Sequence, residues 1–130
     1  MNLTLDSSVI VASLLKDEIR HGEAHDYMMQ LASGKAQAIN PWTVLVEVVA
    51  AVRRRTGSGD FADEVRSALV RFPNMIFVVL DEKAAMEAAT IAAATGLRGM
   101  DAVVVQVAKD YNTKLVTFDE EMEEKSRLLS

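Results

Sequence analysis

Cysteine is absent from this sequence, and so is any apolar stretch long enough to cross a membrane. Without cysteine, neither a disulfide framework nor a thiolate metal site can form. Glu47 and Arg53 interrupt the most apolar stretch, which leaves no transmembrane candidate. The chain also starts without a basic segment followed by a long apolar one. We therefore expect no signal peptide, a cytoplasmic location and no membrane partner.

Several catalytic patterns are missing as well. The sequence has no glycine-rich phosphate loop and no recognisable Ser-His-Asp arrangement. His21 and His25 have the spacing of a helical metal-binding pair, but no cysteine or third histidine is present to complete a zinc site, so solvent-facing side chains are the favoured interpretation. The net charge of −5 argues against a nucleic-acid coat protein, although it does not exclude a nuclease with clustered acids.

What the sequence does contain is typical of one globular domain spanning residues 1–130. Hydrophobic residues make up 50% of the chain and charged residues 25%, and the length is sufficient to bury a core. No internal repeat, low-complexity segment or linker rich in proline, glycine or serine divides it.

Hydrophobic periodicity and capping residues divide the chain into alternating strands and helices. Asn40 is predicted to cap a helix whose first residue is Pro41, and Gly57 is predicted to end it. Asp81 is predicted to cap the alanine-rich helix further along. The predicted strands cover residues 2–5, 36–39, 76–80 and 114–117, and the predicted helices cover residues 8–15, 21–33, 41–57, 60–71, 81–96, 99–111 and 120–128.

This alternation indicates an α/β fold in which a short, mainly parallel central sheet lies between two layers of helices. Strands with few polar residues suit a sheet that is covered on both faces. In such folds, functional sites form beyond the carboxyl ends of the strands. Asp6 and Asp119 each follow a predicted strand, so both are expected at that edge of the sheet.

Two acidic residues in the first half of the chain need an explanation. Asp6 could cap the helix after the first strand, although Ser7 or Ser8 would serve equally well. Glu47 is surrounded by valine and leucine in a helix whose apolar sides predict burial all round. A buried, unpaired carboxylate costs on the order of several kcal/mol. Glu47 therefore meets an arginine, reaches solvent through a gap in the core, or points into a cleft.

Asp101 and Asp119 also have local explanations. Asp101 opens a helix, where backbone N–H groups favour a carboxylate, and Asp119 could cap the terminal helix. One shared site explains four such acids more simply than four separate roles. Carboxylates packed into one cleft raise one another's pKa unless a cation intervenes, and a divalent metal ion is the usual cation. Oxygen ligands alone favour Mg²⁺ or Mn²⁺ over Zn²⁺.

Four segments resemble the PIN domain, and in particular the small VapC-type toxins of prokaryotic toxin–antitoxin pairs. They are LDSSVIVA, PWTVLVEVVAAVRRR, GMDAVVVQVA and KLVTFDEEM, which occur in the family's order and spacing across nearly the whole chain. By position, the family's acidic quartet corresponds to Asp6, Glu47, Asp101 and Asp119. Ser8 matches the small polar residue two positions after the first acid, and Thr117 matches the hydroxyl residue two positions before the last.

The resemblance implies a doubly wound α/β/α sandwich with Mg²⁺- or Mn²⁺-dependent endoribonuclease activity, in which the acidic quartet holds the metal. Ser8 and Thr117 would orient carboxylates or water by hydrogen bonds. The family also implies a homodimer that is inhibited by a small cognate antitoxin protein. Glu120 or Glu121 could share or replace the role of Asp119, because the fourth acid is the most variable of the set.

Some alternatives stay open at this point. Arg53, Arg54 and Arg98 are candidate contacts for RNA phosphates. The sequence specifies neither the RNA target nor whether one or two ions bind. A PIN-like module that binds RNA or protein without catalysis is the main alternative. A receiver-type signalling domain is a weaker one, because it needs paired acids after the first strand and a lysine after the last, where this chain has serines and Thr-Phe-Asp.

Overall fold

The computed structural model describes residues 1–129, and its elements follow the predicted order with bounds that differ by one or two residues. The strands are β1 (Asn2–Leu5), β2 (Gln37–Pro41), β3 (Met75–Val78) and β4 (Lys114–Val116). The helices are α1 (Ser7–Leu14), α2 (His21–Ala32), α3 (Trp42–Thr56), α4 (Gly59–Val70), α5 (Glu82–Thr95), α6 (Gly99–Asp110) and α7 (Glu120–Ser126). A short 3₁₀ turn at Arg127–Leu129 follows α7.

The strands form one parallel sheet in the order β3-β2-β1-β4. The chain moves from β1 through β2 to β3 at one edge and then crosses to β4 at the opposite edge. Right-handed crossovers place α1 to α4 on one face and α5 and α6 on the other. In agreement, α1 packs against α2 and α3, and α3 against α4, while α5 packs against α6. The predicted α/β fold, a parallel sheet flanked by helices, is confirmed.

The direction of winding reverses between two neighbouring strands, β1 inside the sheet and β4 at its edge. Leu5 pairs with Val116 at the carboxyl ends of these strands, and the Asp6 N–H extends the pairing by donating to the Val116 carbonyl at 2.9 Å. Such a reversal point opens a crevice beyond the strand ends, where ligands of α/β proteins bind.

Helix α3 buries one stripe and exposes another. Val44, Val48 and Val52, which are four residues apart, are fully buried. Val46, in contrast, is 68% exposed and Trp42 is 41% exposed. The expectation that this helix is buried all round is therefore wrong. The helix covers one face of the sheet as part of an outer layer, so side chains on its far side meet solvent although they are apolar.

Two of the predicted helix boundaries are confirmed in atomic detail. Gly57 ends α3 in the left-handed conformation, with φ of 72°, and its N–H donates to the Arg53 carbonyl. A residue with a side chain would be strained at this φ. Asp81 caps α5, because its Oδ1 accepts a hydrogen bond of 2.8 Å from the Ala84 N–H.

The prediction that Asn40 caps α3 is wrong. Pro41 is the last residue of β2, and Asn40 lies within that strand, fully buried. The Asn40 Oδ1 accepts a hydrogen bond of 2.9 Å from the Leu5 N–H of β1. The paired positions of β1 and β2 end at Leu3 and Ala38. Beyond them, the Asn40 carboxamide supplies the bridge between the strands that a backbone carbonyl would otherwise supply.

Among the described residues, no single helix is both long and apolar enough to span a membrane. The helices α5 and α6 meet the criteria of length and composition only as a pair, and they are bent by 113° at the break between them.

Candidate functional site

Asp6 lies between β1 and α1 with 4% of its surface exposed. Asp6 occupies the N-cap position of α1, but its side chain makes no capping hydrogen bond, so the alternative that this side chain serves as a helix cap is wrong. The Oδ2 atom instead accepts hydrogen bonds from Ser8 Oγ at 2.7 Å and from Thr117 Oγ1 at 3.0 Å. The Oδ1 atom is buried and has no hydrogen-bond partner within residues 1–129. A buried acceptor left in this state has capacity for an additional ligand.

The two hydroxyl groups that bind Asp6 are held in place by the backbone that follows β4. Ser8 Oγ accepts a hydrogen bond from the Phe118 N–H at 3.1 Å, and Thr117 Oγ1 accepts one from the Asp119 N–H at 3.1 Å. Because each hydroxyl accepts from an N–H, its own proton is available to Asp6. This network orients the Asp6 carboxylate through one oxygen and leaves the other oxygen free.

Glu47 lies in the second turn of α3, and its Oε1 is buried without a partner in the described part of the chain. Burial, with the added negative charges of Asp6 and Asp101, raises the pKa of Glu47 from its ordinary value of 4.5 to about 7. No ion pair compensates this charge within residues 1–129, so a partner arginine is not the explanation for Glu47. The carboxylate faces other acids.

Asp101 is the third residue of α6 and is half-buried. Burial raises its pKa, and so do the charges of Asp6 and Asp119. Glu121 adds a smaller effect in the same direction, while the Arg98 guanidinium opposes the shift. The sites of Asp6, Glu47, Asp101 and Asp119 are therefore close enough to interact electrostatically, although they come from four different parts of the chain.

Asp119 has a structural role in addition to its place among these acids. It caps α7, because its Oδ1 accepts a hydrogen bond of 3.1 Å from the Met122 N–H, as its local sequence indicates. Of the two neighbouring glutamates, Glu121 forms an ion pair of 2.7 Å with Lys125, and Glu120 is exposed in the first turn of α7. The cap fixes Asp119 at the start of α7, close enough to Asp101 to raise the pKa of that carboxyl.

The donor set suits a hard divalent cation. It consists of carboxylate and hydroxyl oxygens, and two of its buried oxygens, Asp6 Oδ1 and Glu47 Oε1, have no hydrogen-bond partner. In the geometry described for residues 1–129, no three acidic or histidine side chains already converge closely enough to hold one ion directly. Mg²⁺ usually keeps several of its waters when a protein binds it, so the residues fit an ion held partly through water.

The candidate phosphate-binding arginines differ in their relation to this cleft. Arg98 precedes α6 and lies near enough to Asp101 for its positive charge to lower the pKa of that carboxyl, which the neighbouring acids raise. Arg53 and Arg54 are exposed in the last turn of α3. Arg98 is thus the cation of these three that lies at the cleft.

The two histidines form contacts within the fold. The rings of His21 and His25 stack with their centroids 6.0 Å apart, and His21 Nδ1 lies 2.8 Å from the Ala12 carbonyl oxygen. His25 is exposed, as expected, but His21 is partly buried and joins α2 to α1, which corrects the expectation that both face solvent.

Sequence reasoning missed two polar groups at the same end of the sheet. Asn40 Nδ2 and Thr43 Oγ1 are both buried without a partner in the described residues. Thr43 lies four residues before Glu47, so helical spacing could have placed both on one face of α3. No comparable pattern marks Asn40, because its position depends on how β1 and β2 separate.

The chain belongs to the PIN domain family, since the family model matches residues 3–128. This confirms the resemblance that the four sequence segments carry, and it excludes the alternative of a receiver-type signalling domain. A comparison with proteins of curated function finds no match.

Several solved structures share the fold. VapC20 of Mycobacterium tuberculosis, described as a sarcin–ricin loop cleaving toxin, superposes with a TM-score of 0.77 at 19% identity, over 94% of this chain and 93% of that one. VapBC2 of Rickettsia felis, bound to a DNA fragment from its promoter, gives a TM-score of 0.71 at 15% identity over 95% and 92%. A toxin–antitoxin complex of Klebsiella pneumoniae gives 0.67 at 15% identity over 92% and 87%.

Proposed function

We propose that this protein is a metal-dependent endoribonuclease that acts as the toxin of a toxin–antitoxin pair. The observation that carries the proposal is that two neighbouring acids, Asp6 and Glu47, each keep a buried carboxylate oxygen without a hydrogen-bond partner in the described residues, with Asp101 close enough to raise the pKa of Glu47. A cluster of uncompensated charge in a cleft is costly for stability, and functional sites are where such costs are retained. Membership of the PIN family supports a nuclease.

In this proposal, Asp6, Glu47 and Asp101 hold one Mg²⁺ or Mn²⁺ ion, and Asp119 completes that shell or helps to place a second ion. A bound ion of this kind lowers the pKa of water and stabilises negative charge on a phosphate. Ser8 and Thr117 hold Asp6 by its Oδ2, which leaves Oδ1 without a hydrogen-bond partner in the described residues and available to an ion. Glu47 must lose its proton to act as a ligand. Because burial and its acidic neighbours raise its pKa, binding of the ion would be coupled to release of that proton.

The partners proposed for the chain follow from its relatives. Structures with this fold include a toxin–antitoxin complex and a VapBC2 complex on promoter DNA. We propose that a small antitoxin inhibits this protein and that the protein forms a homodimer. RNA is the proposed substrate, and Arg98 is the proposed phosphate contact beside Asp101.

Cleavage of a mixed cellular RNA pool tests the proposal. The wild-type protein is compared in Mg²⁺, in Mn²⁺ and in EDTA, with Asp101→Asn purified identically. Asp110→Asn is the matched control, because Asp110 is exposed at the other end of the same helix. We expect cleavage by the wild type and by Asp110→Asn with either metal, and none in EDTA or with Asp101→Asn.

Equal cleavage by Asp101→Asn and Asp110→Asn would contradict the assignment of the acids. Binding of RNA without cleavage under any condition would instead favour the alternative of a PIN-like module that binds RNA and does not cut it. Mapping of the cut ends would then define the sequence or loop that the enzyme recognises.

A further inference from the structure

Arg20 and Phe118 form a stacked pair beside the acidic cleft that the proposed reaction leaves unused. The guanidinium carbon of Arg20 lies 3.8 Å from the centroid of the Phe118 ring. Two hydrogen bonds of 2.9 Å from Arg20 Nε and Nη2 to the Glu23 carboxylate hold the guanidinium plane in place. The Phe118 backbone is fixed in turn by its N–H bond to Ser8 Oγ. Both halves of the pair are therefore anchored.

Two cavities flank this pair, and the lining of each includes a residue that hydrogen-bonds to Asp6. One, of about 340 Å³, is lined by Arg20, Phe118 and Thr117 among others. The other, of about 410 Å³, is lined by the same Arg20 and Phe118 together with Ser8. Thr117 and Ser8 are the two hydroxyls that donate to Asp6 Oδ2. The pair thus lies between two cavities, each of which is one side chain away from the Asp6 carboxylate.

The lining of both cavities suits a nucleic acid strand. Cations from several elements line one or both of them: Arg20, Arg55, Lys114 and Arg127. Arg20, Arg55 and Arg127 form ion pairs with exposed or partly exposed glutamates, and such surface pairs contribute about 0–1 kcal/mol. A phosphate can therefore replace the glutamate beside Arg55 or Arg127 at little cost, while Arg20 keeps its contact with Glu23. A guanidinium plane stacks well on an unpaired base.

We propose that the Arg20–Phe118 pair is a stacking platform for one unpaired nucleobase next to the scissile phosphate, and that the two cavities receive the single-stranded RNA on either side of it. The inference rests on the proposed function, since it names the form of the substrate at that site. The base would stack on the face of the half-exposed Arg20 guanidinium opposite Phe118, and the ring supports the guanidinium from the other side. Double-stranded RNA is disfavoured, because its bases are already stacked and paired.

Binding of a fluorescently labelled 10-nucleotide RNA of mixed sequence tests this platform by anisotropy. The Glu47→Gln protein is the background, because it removes one negative charge from the cleft and is expected not to cleave. Arg20→Ala and Phe118→Leu should each weaken binding about tenfold, the order of magnitude expected for loss of one stacked base. Arg20→Lys should keep the salt dependence of binding and still lose most of the stacking, because lysine keeps the charge without the plane.

Arg66→Ala is the matched control, since Arg66 makes the same exposed i,i+3 pair with Asp63 that Arg20 makes with Glu23, but on α4. It should bind RNA like the parent. The dissociation constant of the double variant Arg20→Ala/Phe118→Leu should lie within about twofold of that of either single variant, because the two residues act as one unit. Binding by Arg20→Ala and Phe118→Leu that equals binding by Arg66→Ala would overturn the inference.

Failure of this inference is distinguishable from failure of the proposed function. If the wild type cleaves RNA while Arg20→Ala and Phe118→Leu bind and cleave normally, the platform is wrong and the nuclease stands. If the wild type never cleaves but RNA binding still depends on Arg20 and Phe118, the platform stands in a protein that binds RNA without cutting it.

Discussion

Thr117 and Asp6 are 111 residues apart in the chain, yet Thr117 Oγ1 donates a hydrogen bond of 3.0 Å to Asp6 Oδ2. The bond joins the ends of β1 and β4, and both residues are buried. Together with the bond from Ser8, it sets the direction in which Asp6 presents its free oxygen. The orientation of the proposed metal ligand therefore depends on a hydroxyl from the residue that follows the last strand.

Thr117→Val should lower the cleavage rate by about 10- to 100-fold, the usual range for loss of a group that orients a metal ligand. Asp6 would lose one donor and the Asp119 N–H would lose its acceptor, at a cost of about 1–2 kcal/mol in the free energy of unfolding. Initial rates and urea unfolding of the same preparations measure both effects. Thr90→Val is the control, because Thr90 makes its hydrogen bond within exposed α5. Equal rates for the two variants would count against the role of Thr117.

Glu47 gives the metal-free protein a defined pH dependence. Its pKa in the folded state is about 7, above the ordinary value of 4.5, so the folded protein holds this proton more tightly than the unfolded chain. The contribution of the protonated Glu47 carboxyl to the free energy of unfolding is therefore fully present below about pH 4.5, and it is lost as the pH rises toward 7. We expect a loss of about 1–2 kcal/mol from Glu47, reduced by solvent screening because the group is only half-buried. Asp101 acts in the same direction.

Urea unfolding in EDTA between pH 4.5 and 8 tests this dependence. Glu47→Gln should gain stability relative to the wild type as the pH rises, since it lacks the charge that burial disfavours. Glu64→Gln, at an exposed position of α4, should follow the wild type at every pH. A difference between Glu47→Gln and wild type that stays constant across this range would show that the pKa of Glu47 is not raised.

Asp119 combines a structural and a proposed catalytic role, and two substitutions separate them. Asp119→Asn retains an oxygen that can cap α7 but removes the charge, whereas Asp119→Ala removes both. We expect both variants to lose activity, and only the alanine variant to lose about 1 kcal/mol of stability. Asp81→Ala, which removes the equivalent cap of α5, should cost similar stability and leave cleavage unchanged. Full activity in Asp119→Asn would restrict Asp119 to its cap.

Local sequence was sufficient to predict most of the fold. Gly57 and Asp81 act within one helical turn, so their roles as helix end and cap follow from neighbouring residues alone. The apolar environment of Glu47 in the sequence predicted a carboxylate that lacks solvent, and half-burial with a raised pKa is what the structure has. The exposed Val46 shows the limit of the same reasoning, because composition does not reveal which side of a helix faces the sheet.

Contacts between distant segments could not be predicted from one sequence. Asn40 looked like a helix cap because Pro41 follows it, but the separation of β1 from β2 turns its carboxamide toward Leu5. The stacking of Arg20 on Phe118 joins the start of α2 to the segment after β4, and no periodic pattern relates the two. These residues depend on strand order and register, which only the folded chain defines.

Binding of Mn²⁺ in solution tests the central claim, that the four acids form one metal centre. Loss of the free Mn²⁺ signal in electron paramagnetic resonance measures it directly for wild type, Glu47→Gln, Asp101→Asn and the control Asp110→Asn. We expect binding by the wild type and by Asp110→Asn, and at least tenfold weaker binding by Glu47→Gln and Asp101→Asn. Affinity in the wild type should rise with pH through about 7, as Glu47 loses its proton. Equal Mn²⁺ binding by all four proteins, or none by the wild type, would contradict the claim.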